Sequence, residues 1–138
     1  PVDTTQQLVV KDAGDGRGRG VYATADLPAR AYLGDYEGEL FRAEDYSSMG
    51  FGDGRDSSYV HWINKEWGVD GRAKALAAED FTAALLNHSS KRANVVRRVR
   101  AAGPRVEFYT ARAIRSGEEL LLDYGNDYWA AIGVTPLD

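Results

Sequence analysis

The stretch Asn87-His88-Ser89, which closes the apolar run Ala83-Ala84-Leu85-Leu86, decides how this chain is read together with the later run Gly117-Glu118-Glu119-Leu120-Leu121-Leu122-Asp123-Tyr124-Gly125. An Asn-His pair directly after four apolar residues is awkward as core. Asn carries both donors and acceptors, so burying it demands partners. On local grounds alone the pair is equally well a polar cap ending a helix. The second run reads as an acidic turn followed by a strand. Strand alternation puts Leu120, Leu122 and Tyr124 on one face and Leu121 and Asp123 on the other.

Working outward, most glycines of the chain fall between short β-rich pieces, a pattern of many strands joined by turns. Strands are predicted near Leu8–Val10, Gly20–Thr24, Tyr32–Leu40, Ser58–Ile63, Val95–Arg100, Val106–Ala111 and Glu119–Tyr124. Ala101-Ala102-Gly103-Pro104 would join the fifth and sixth as a hairpin. One helix is predicted over Ala78–Leu86, with Glu79 and Asp80 suited to its start and Phe81 and Leu85 on one face. A single helical turn is predicted near Ala43–Ser48. The fold class is therefore mostly β with short helices. Neither an internal repeat nor a dividing linker is visible, so residues 1–138 read as one domain.

Composition narrows the function. At 138 residues with 43% hydrophobic, the chain can bury its own core. Cysteine is absent, which removes disulfides, thiolate metal sites and cysteine nucleophiles. His61 and His88 are its only histidines, and no carboxylates at ligand spacing accompany them, so no metal site is expected. No apolar run approaches the ~20 residues that span a bilayer, and no signal-peptide pattern opens the sequence. The sequence begins at Pro1, so it is expected to be a segment of a longer protein. A net charge of −4 argues against direct nucleic-acid binding. Arg97, Arg98, Arg100 and Arg105 do cluster around one turn, either as a solvated hairpin or as a contact for an acidic partner.

Asp15-Gly16-Arg17-Gly18-Arg19-Gly20 precedes the strand beginning at Val21. Glycines let a backbone approach a ligand closely, and neighbouring arginines can hold a carboxylate. It is not a P-loop, since no Lys-Ser/Thr follows, and no βαβ unit makes it a dinucleotide fingerprint. An ordinary turn and an RNA-contacting Arg-Gly segment both remain open at this point.

These motifs, in this order, resemble those of the SET-domain protein lysine methyltransferases. The resemblance covers about Leu8 to Trp129. It implies several small β-sheets around a knot-like crossing in which the Asp-Tyr-Gly strand passes through a loop. Asn87, His88, Ser89 and Asn94 match the motif of that crossing, whereas Ser90 stands for the usual Cys and Ala93 for the usual Pro.

The resemblance further implies S-adenosyl-L-methionine as cofactor, with Arg17 and Arg19 near its carboxylate, backbone contacts from Gly18 and Gly20, and Asn87 and His88 at the adenosine. Trp67, before Gly68-Val69-Asp70, matches an aromatic expected beside the cofactor, though on its own it reads equally well as a core tryptophan. Tyr124 matches the catalytic tyrosine. Tyr36 is assigned to catalysis and to the wall of a substrate-lysine channel, with Tyr59, His61, Leu122 and Tyr128 as further wall.

The cysteine clusters that flank many members are missing, so Gly125-Asn126-Asp127-Tyr128-Trp129 is expected to finish the site. That ending resembles small chlorovirus members of the family, which implies that Trp129 lies by the adenine and that a homodimer forms through Ala130–Leu137. The implied function is methylation of a protein lysine, on histone tails, adding two or three methyl groups. A non-histone substrate, or an inactive SET-fold binding module, are the alternatives. A histone substrate implies the nucleus or a host nucleus, and any other substrate the cytoplasm.

Overall fold

The computed structural model of the protein describes residues 7–14, 16, 18–78, 82–100 and 102–125. The architecture is mostly β, as the sequence predicts. Among the described residues ten short strands form two sheets: β1 (Leu8–Asp12), β2 (Arg19–Ala23), β3 (Tyr32–Asp35), β4 (Glu39–Arg42), β5 (Val60–Trp62), β6 (Trp67–Asp70), β7 (Asn87–His88), β8 (Val95–Arg100), β9 (Arg105–Thr110) and β10 (Glu119–Leu122). The larger sheet runs β1-β2-β10-β8-β9-β3, with β7 also paired to β10; the smaller runs β4-β6-β5.

Three expectations need correction. The predicted strand Tyr32–Leu40 is two strands: β3 pairs with β9, then the chain crosses at Tyr36–Gly38 and β4 pairs with β6 in the other sheet. β6 was not foreseen as a strand. The predicted helix Ala78–Leu86 is not formed as one element. Ala78 is extended (φ −71, ψ 131), and Ala83–Leu85 is a single 3₁₀ turn. The α-helix lies earlier, as α1 (Arg72–Ala77), whose Arg72 N–H is accepted by Asp70 Oδ1 at 3.0 Å. Residues 79–81, on which the expected helix start rested, lie outside the described residues.

The alternation expected for the last strand is also modified. Leu120, Leu121 and Leu122 are all buried, because β10 is covered on both faces and paired along both edges. A continuous apolar run is what a strand covered on both faces requires. The main core collects Val21, Leu27, Leu33, Val106, Phe108, Ile114 and Leu120 beneath the larger sheet. Phe108 is fully buried, worth ~1.5–3 kcal/mol over exposure. A second cluster, Phe41, Phe51 and Val60 with Tyr46, packs on the smaller sheet.

Among the described residues no helix is long and apolar enough to cross a membrane. Among them, too, no group of three or more His, Asp or Glu side chains is placed to hold a metal ion.

Candidate active site at the strand crossing

β10 is the hub of the site. It pairs antiparallel with β2, and parallel with both β7 (Leu121 opposite Asn87, Leu122 opposite His88) and β8 (Leu122 opposite Val95). Asn94 clamps it: its side-chain amide donates to Glu119 O at 2.9 Å and accepts from Leu121 N–H at 2.7 Å, while its own N–H reaches Leu121 O at 3.0 Å. Asn94 is 1% exposed. A buried amide satisfied at both ends in this way fixes backbone position more sharply than apolar packing does. Ser89 is likewise buried, its N–H on Leu122 O and its hydroxyl accepting Arg92 N–H.

Asn87 and His88 are thus strand residues at the crossing rather than a helix cap. His88 Nδ1 accepts the Tyr124 N–H at 2.9 Å, and the two rings stand 5.2 Å apart. His88 therefore acts on Tyr124 through the backbone. The Tyr124 hydroxyl donates to Leu86 O, and the Tyr36 hydroxyl donates to Tyr59 O at 2.5 Å. A hydroxyl has one proton, so each of these oxygens can meet an amine only as an acceptor.

The glycine loop meets the crossing for two different reasons. Gly18 has φ +74, a left-handed conformation that side chains disfavour. At Gly20 a Cβ would stand 2.5 Å from Glu119 Oε2 and 2.8 Å from Asn87 Nδ2. That packing lets Asn87 Nδ2 donate to Arg19 O at 3.1 Å and to Glu119 Oε2 at 2.9 Å, tying the loop to β7 and β10. The Arg19 guanidinium is committed elsewhere. It donates to Ala75 O and Ala78 O, both at 2.5 Å, at the C-terminal end of α1 where carbonyls lack helical partners.

Between these elements lies a cavity of about 490 Å³. Gly18, Arg19 and Asn87 line it on one side, with Leu76 of α1 and Ala83–Leu86; Tyr36, Tyr59, His61, Leu122 and Tyr124 line the other. Eight of the residues expected at the site thus converge on one chamber: Gly18 and Arg19 from the loop, Asn87, the Tyr36, Tyr59, His61 and Leu122 wall, and Tyr124. Gly20 stands just behind it. Trp67 does not line it; its ring packs against the core with the Arg42 guanidinium carbon 4.4 Å from the ring centroid. Arg17, Tyr128, Trp129 and the segment 130–137 lie outside the described residues.

The wall around His61 is aromatic. Its ring centroid is 5.1 Å from that of Tyr36 and 5.7 Å from that of Phe108, edge-on. Burial and the Arg97 charge push its pKa down to about 3, so it is neutral at physiological pH. Arg97 donates to His61 Nε2 and to Trp62 O at 3.2 Å. Arg97 was expected only as one of a surface cluster. Its partners answer that expectation in part: Arg100 and Arg105 are paired with Glu107, at 2.9 and 3.2 Å. The two arginines share that one carboxylate, with Asp35 Oδ2 in addition 3.7 Å from Arg105, so the cluster is neutralised only in part.

A larger hollow of about 950 Å³ lies beyond α1. It holds no aromatic wall, and its charges are matched internally: Arg55 with Glu39 and Asp70, Arg72 with Asp56, Lys74 with Glu37. The smaller chamber, with its bare backbone loop and two oriented phenols, is the candidate active site.

A curled β domain whose last strand is threaded between β2, β7 and β8, with a glycine loop and an Asp-Tyr-Gly terminus at the crossing, defines a class of fold. The SET domain family model matches residues 18–125, and the chain belongs to this family. It is 32% identical over 130 residues to the N-lysine methyltransferase KMT5A-A of Danio rerio, covering 88% of this chain and 36% of the relative. It is 30% identical over 122 residues to the histone-lysine N-methyltransferase MEDEA of Arabidopsis thaliana, covering 87% of this chain and 17% of the relative. The chain thus spans about a third of the first relative's length and about a sixth of the second's. Its fold is similar to a chain of the Chaetomium thermophilum polycomb repressive complex 2, with TM-score 0.68 and 22% identity over 87% of this chain and 15% of the other.

Proposed function

We propose that this domain transfers methyl groups from S-adenosyl-L-methionine to the side-chain amine of a protein lysine. The observation that carries the reading is the single chamber joining the glycine loop and Asn87 to the hydroxyls of Tyr36 and Tyr124.

The residues present fit the cofactor. Gly18 has no atom within 4 Å of where its side chain would stand, so the loop offers bare backbone to a ligand. Leu76 and Leu86 give apolar surface to a nucleoside, and Asn87 Oδ1 remains as an acceptor once its amide hydrogens are engaged. Since the Arg19 fork already holds α1, the cofactor's carboxylate would rest on loop backbone N–H groups, with Arg17 as the further candidate. When bound, S-adenosyl-L-methionine supplies a methyl group on a positively charged sulfur.

The chain's own work concerns the lysine. A lysine pKa of about 10.4 means that the neutral amine costs ~4.6 kcal/mol at pH 7. The aromatic wall of Tyr36, Tyr59 and His61, with Leu122 beside it, excludes water and disfavours the ammonium. The Tyr36 and Tyr124 oxygens, oriented by their donations to Tyr59 O and Leu86 O, accept from the amine N–H groups and aim its lone pair along the line of transfer. The substrate is proposed to lie extended along the free edge of β5, beside the chamber.

The MEDEA relative is a histone-lysine methyltransferase by name, which favours a histone tail as substrate and, with it, the nucleus as the place of action. On the family resemblance Tyr128 closes the channel and Trp129 lies by the adenine, within a single unit of about residues 8–129. The likeness of that ending to small chlorovirus members supports a homodimer through 130–137. Sedimentation at several concentrations tests the dimer, and a constant monomer mass excludes it. The test of the activity is labelled S-adenosyl-L-methionine with mixed histones. Label in a histone lysine is expected. No label in histones, but label in other proteins, assigns a non-histone substrate. Cofactor binding without transfer to any protein leaves an inactive binding module.

A further inference from the structure

β8 and β9 pair in register, with Val95 opposite Thr110, Arg97 opposite Phe108 and Val99 opposite Val106. Paired residues share a face. Val95, Thr110, Phe108 and Val106 of that row are buried, whereas Val99 at its far end is 38% exposed. Arg97 is a charged, solvent-reaching residue in this largely apolar row, while Arg98, Arg100, Arg105 and the buried Glu107 occupy the other. Its guanidinium crosses from the larger sheet to the smaller one and reaches two acceptors on β5, His61 Nε2 and Trp62 O. In the β5–β6 ladder the Tyr59 and Ile63 positions bond inward to β6. By antiparallel alternation the Trp62 carbonyl then lies on the free edge of β5.

Arginine has no acceptor, so the bond to His61 has one sense. The Nε2 must carry the lone pair, which places the imidazole proton on Nδ1. No other charge faces this ring among the described residues. Its ring neighbours are Tyr36 and Phe108, with Leu40 and Val69 on the same face of β4 and β6, and Tyr59 and Tyr124 line the same chamber.

We propose that Arg97 is a positioning residue of the lysine channel: it fixes His61 as the Nδ1–H tautomer and occupies its Nε2 lone pair, so that the wall offers an entering ammonium no imidazole acceptor. An open Nε2 beside the chamber would hydrogen-bond the ammonium and raise the pKa of the substrate lysine, opposing its release of the proton. The guanidinium occupies that acceptor, and its fixed charge at the outer side of the wall acts in the same direction as the apolar rings. The inference rests on the proposed lysine methylation for its consequence, but not for its geometry.

The first measurement needs no activity. Ring nitrogen shifts of His61 in the full chain should show the Nδ1–H tautomer with a midpoint near 3. In Arg97→Gln the midpoint should rise by about one pH unit while staying below the ordinary value of about 6.5, since burial, the larger cause, persists. An Nε2–H tautomer in the wild type, or an unmoved midpoint in the variant, overturns the proposal. If Arg97→Gln does not fold, the wild-type tautomer decides by itself.

The second measurement is the pH profile of kcat with a lysine peptide. Arg97→Gln should move its rising limb to higher pH by about half a unit, and Arg97→Lys, which keeps charge and a donor, should largely restore it. In a His61→Phe background the same Arg97→Gln change should shift the limb less. An equal shift in both backgrounds shows that Arg97 does not act through His61, and overturns the proposal. A wild type that methylates no lysine refutes the functional reading, while the nitrogen shifts still decide whether Arg97 holds His61.

Discussion

The crossing around β10 and the wall on β5 are neighbours built on opposite plans. At the crossing, polar groups are consumed internally: both ends of the Asn94 side chain bind β10, Ser89 binds its own loop and β10, and His88 binds the Tyr124 backbone. At the wall, β5 is an edge strand, its rings stack loosely at 5–6 Å, and one guanidinium from the other sheet covers an edge carbonyl. The first region holds position, and on the proposed function the second meets the substrate. Tyr124 joins them, since its N–H belongs to the crossing and its phenol to the chamber.

The difference predicts that changes at the chamber cost activity and changes at the crossing cost stability. Tyr124→Phe should reduce kcat by about 10²-fold or more. Stability should fall by only ~1 kcal/mol for the lost bond to Leu86 O. Steady-state kinetics beside denaturant unfolding checks this, and near-normal turnover would remove Tyr124 from the chemistry.

Asn94→Ala should do the reverse, costing ~2–4 kcal/mol because Leu121 N–H and Glu119 O are left without its amide in a buried place. Asn87→Ala is the sharper partner. Asn87 shares a motif with Asn94 but sits half-buried on the chamber, so it should weaken S-adenosyl-L-methionine binding more than it weakens the fold. Calorimetric affinities for the two variants rank them. An Asn87→Ala protein with unchanged affinity would show that both asparagines belong to the scaffold.

Acid should loosen the hairpin behind the wall before the crossing. The Arg100 hydrogen bond holds the Glu107 carboxyl below its ordinary pKa, with Tyr109 and Arg105 adding to this against the opposing effect of burial. A depressed folded-state pKa gives stability that is present above the unfolded value, about 4.3, and is lost as pH falls through the folded one. Amide exchange of β8 and β9 between pH 5 and 3 should therefore rise earlier than that of β10. Equal onset in the three strands would contradict it.

Legibility divides along the same line. Alternation and glycine punctuation reveal most strands, whereas the tyrosines, the glycine loop, Asn87 and Leu122 are assigned to the site by the family resemblance and not by any local pattern. Pairing across the chain was hidden. Asn87-His88 reads locally as a helix end, yet three-dimensional pairing with Leu121 and Leu122 makes it a strand. β6 escaped notice because Trp67-Gly68-Val69-Asp70 is short and carries a glycine, placed under the Phe41 and Trp62 rings of its two neighbours. Arg97 reads as one of a surface cluster, and only its alternation with Val95 and Val99, opposite the buried Phe108, hints that it leaves the other arginines' face.

The smallest effect expected on rate, and the most informative on outcome, is at Leu122. Its backbone belongs to the crossing, opposite His88 and Val95, while its side chain, 6% exposed, lines the chamber beside Tyr124. In SET methyltransferases, by the resemblance, a Tyr two residues before the catalytic one holds a water that fills the space a methylated amine would need. Leu122 has neither hydroxyl nor ring, so the wild type should proceed to di- or trimethyl-lysine. Leu122→Tyr should stop near the first methyl group with the first transfer changed little, because the added hydroxyl recruits water into the space a methylated amine needs. Overpacking is the competing effect, since extra volume in a filled site costs ~1–3 kcal/mol. Leu122→Phe separates the two, adding the ring without the hydroxyl. Intact-mass analysis of product at long times reads all three proteins. A wild type that stops at one methyl group would show that another side chain fills the space beside Leu122.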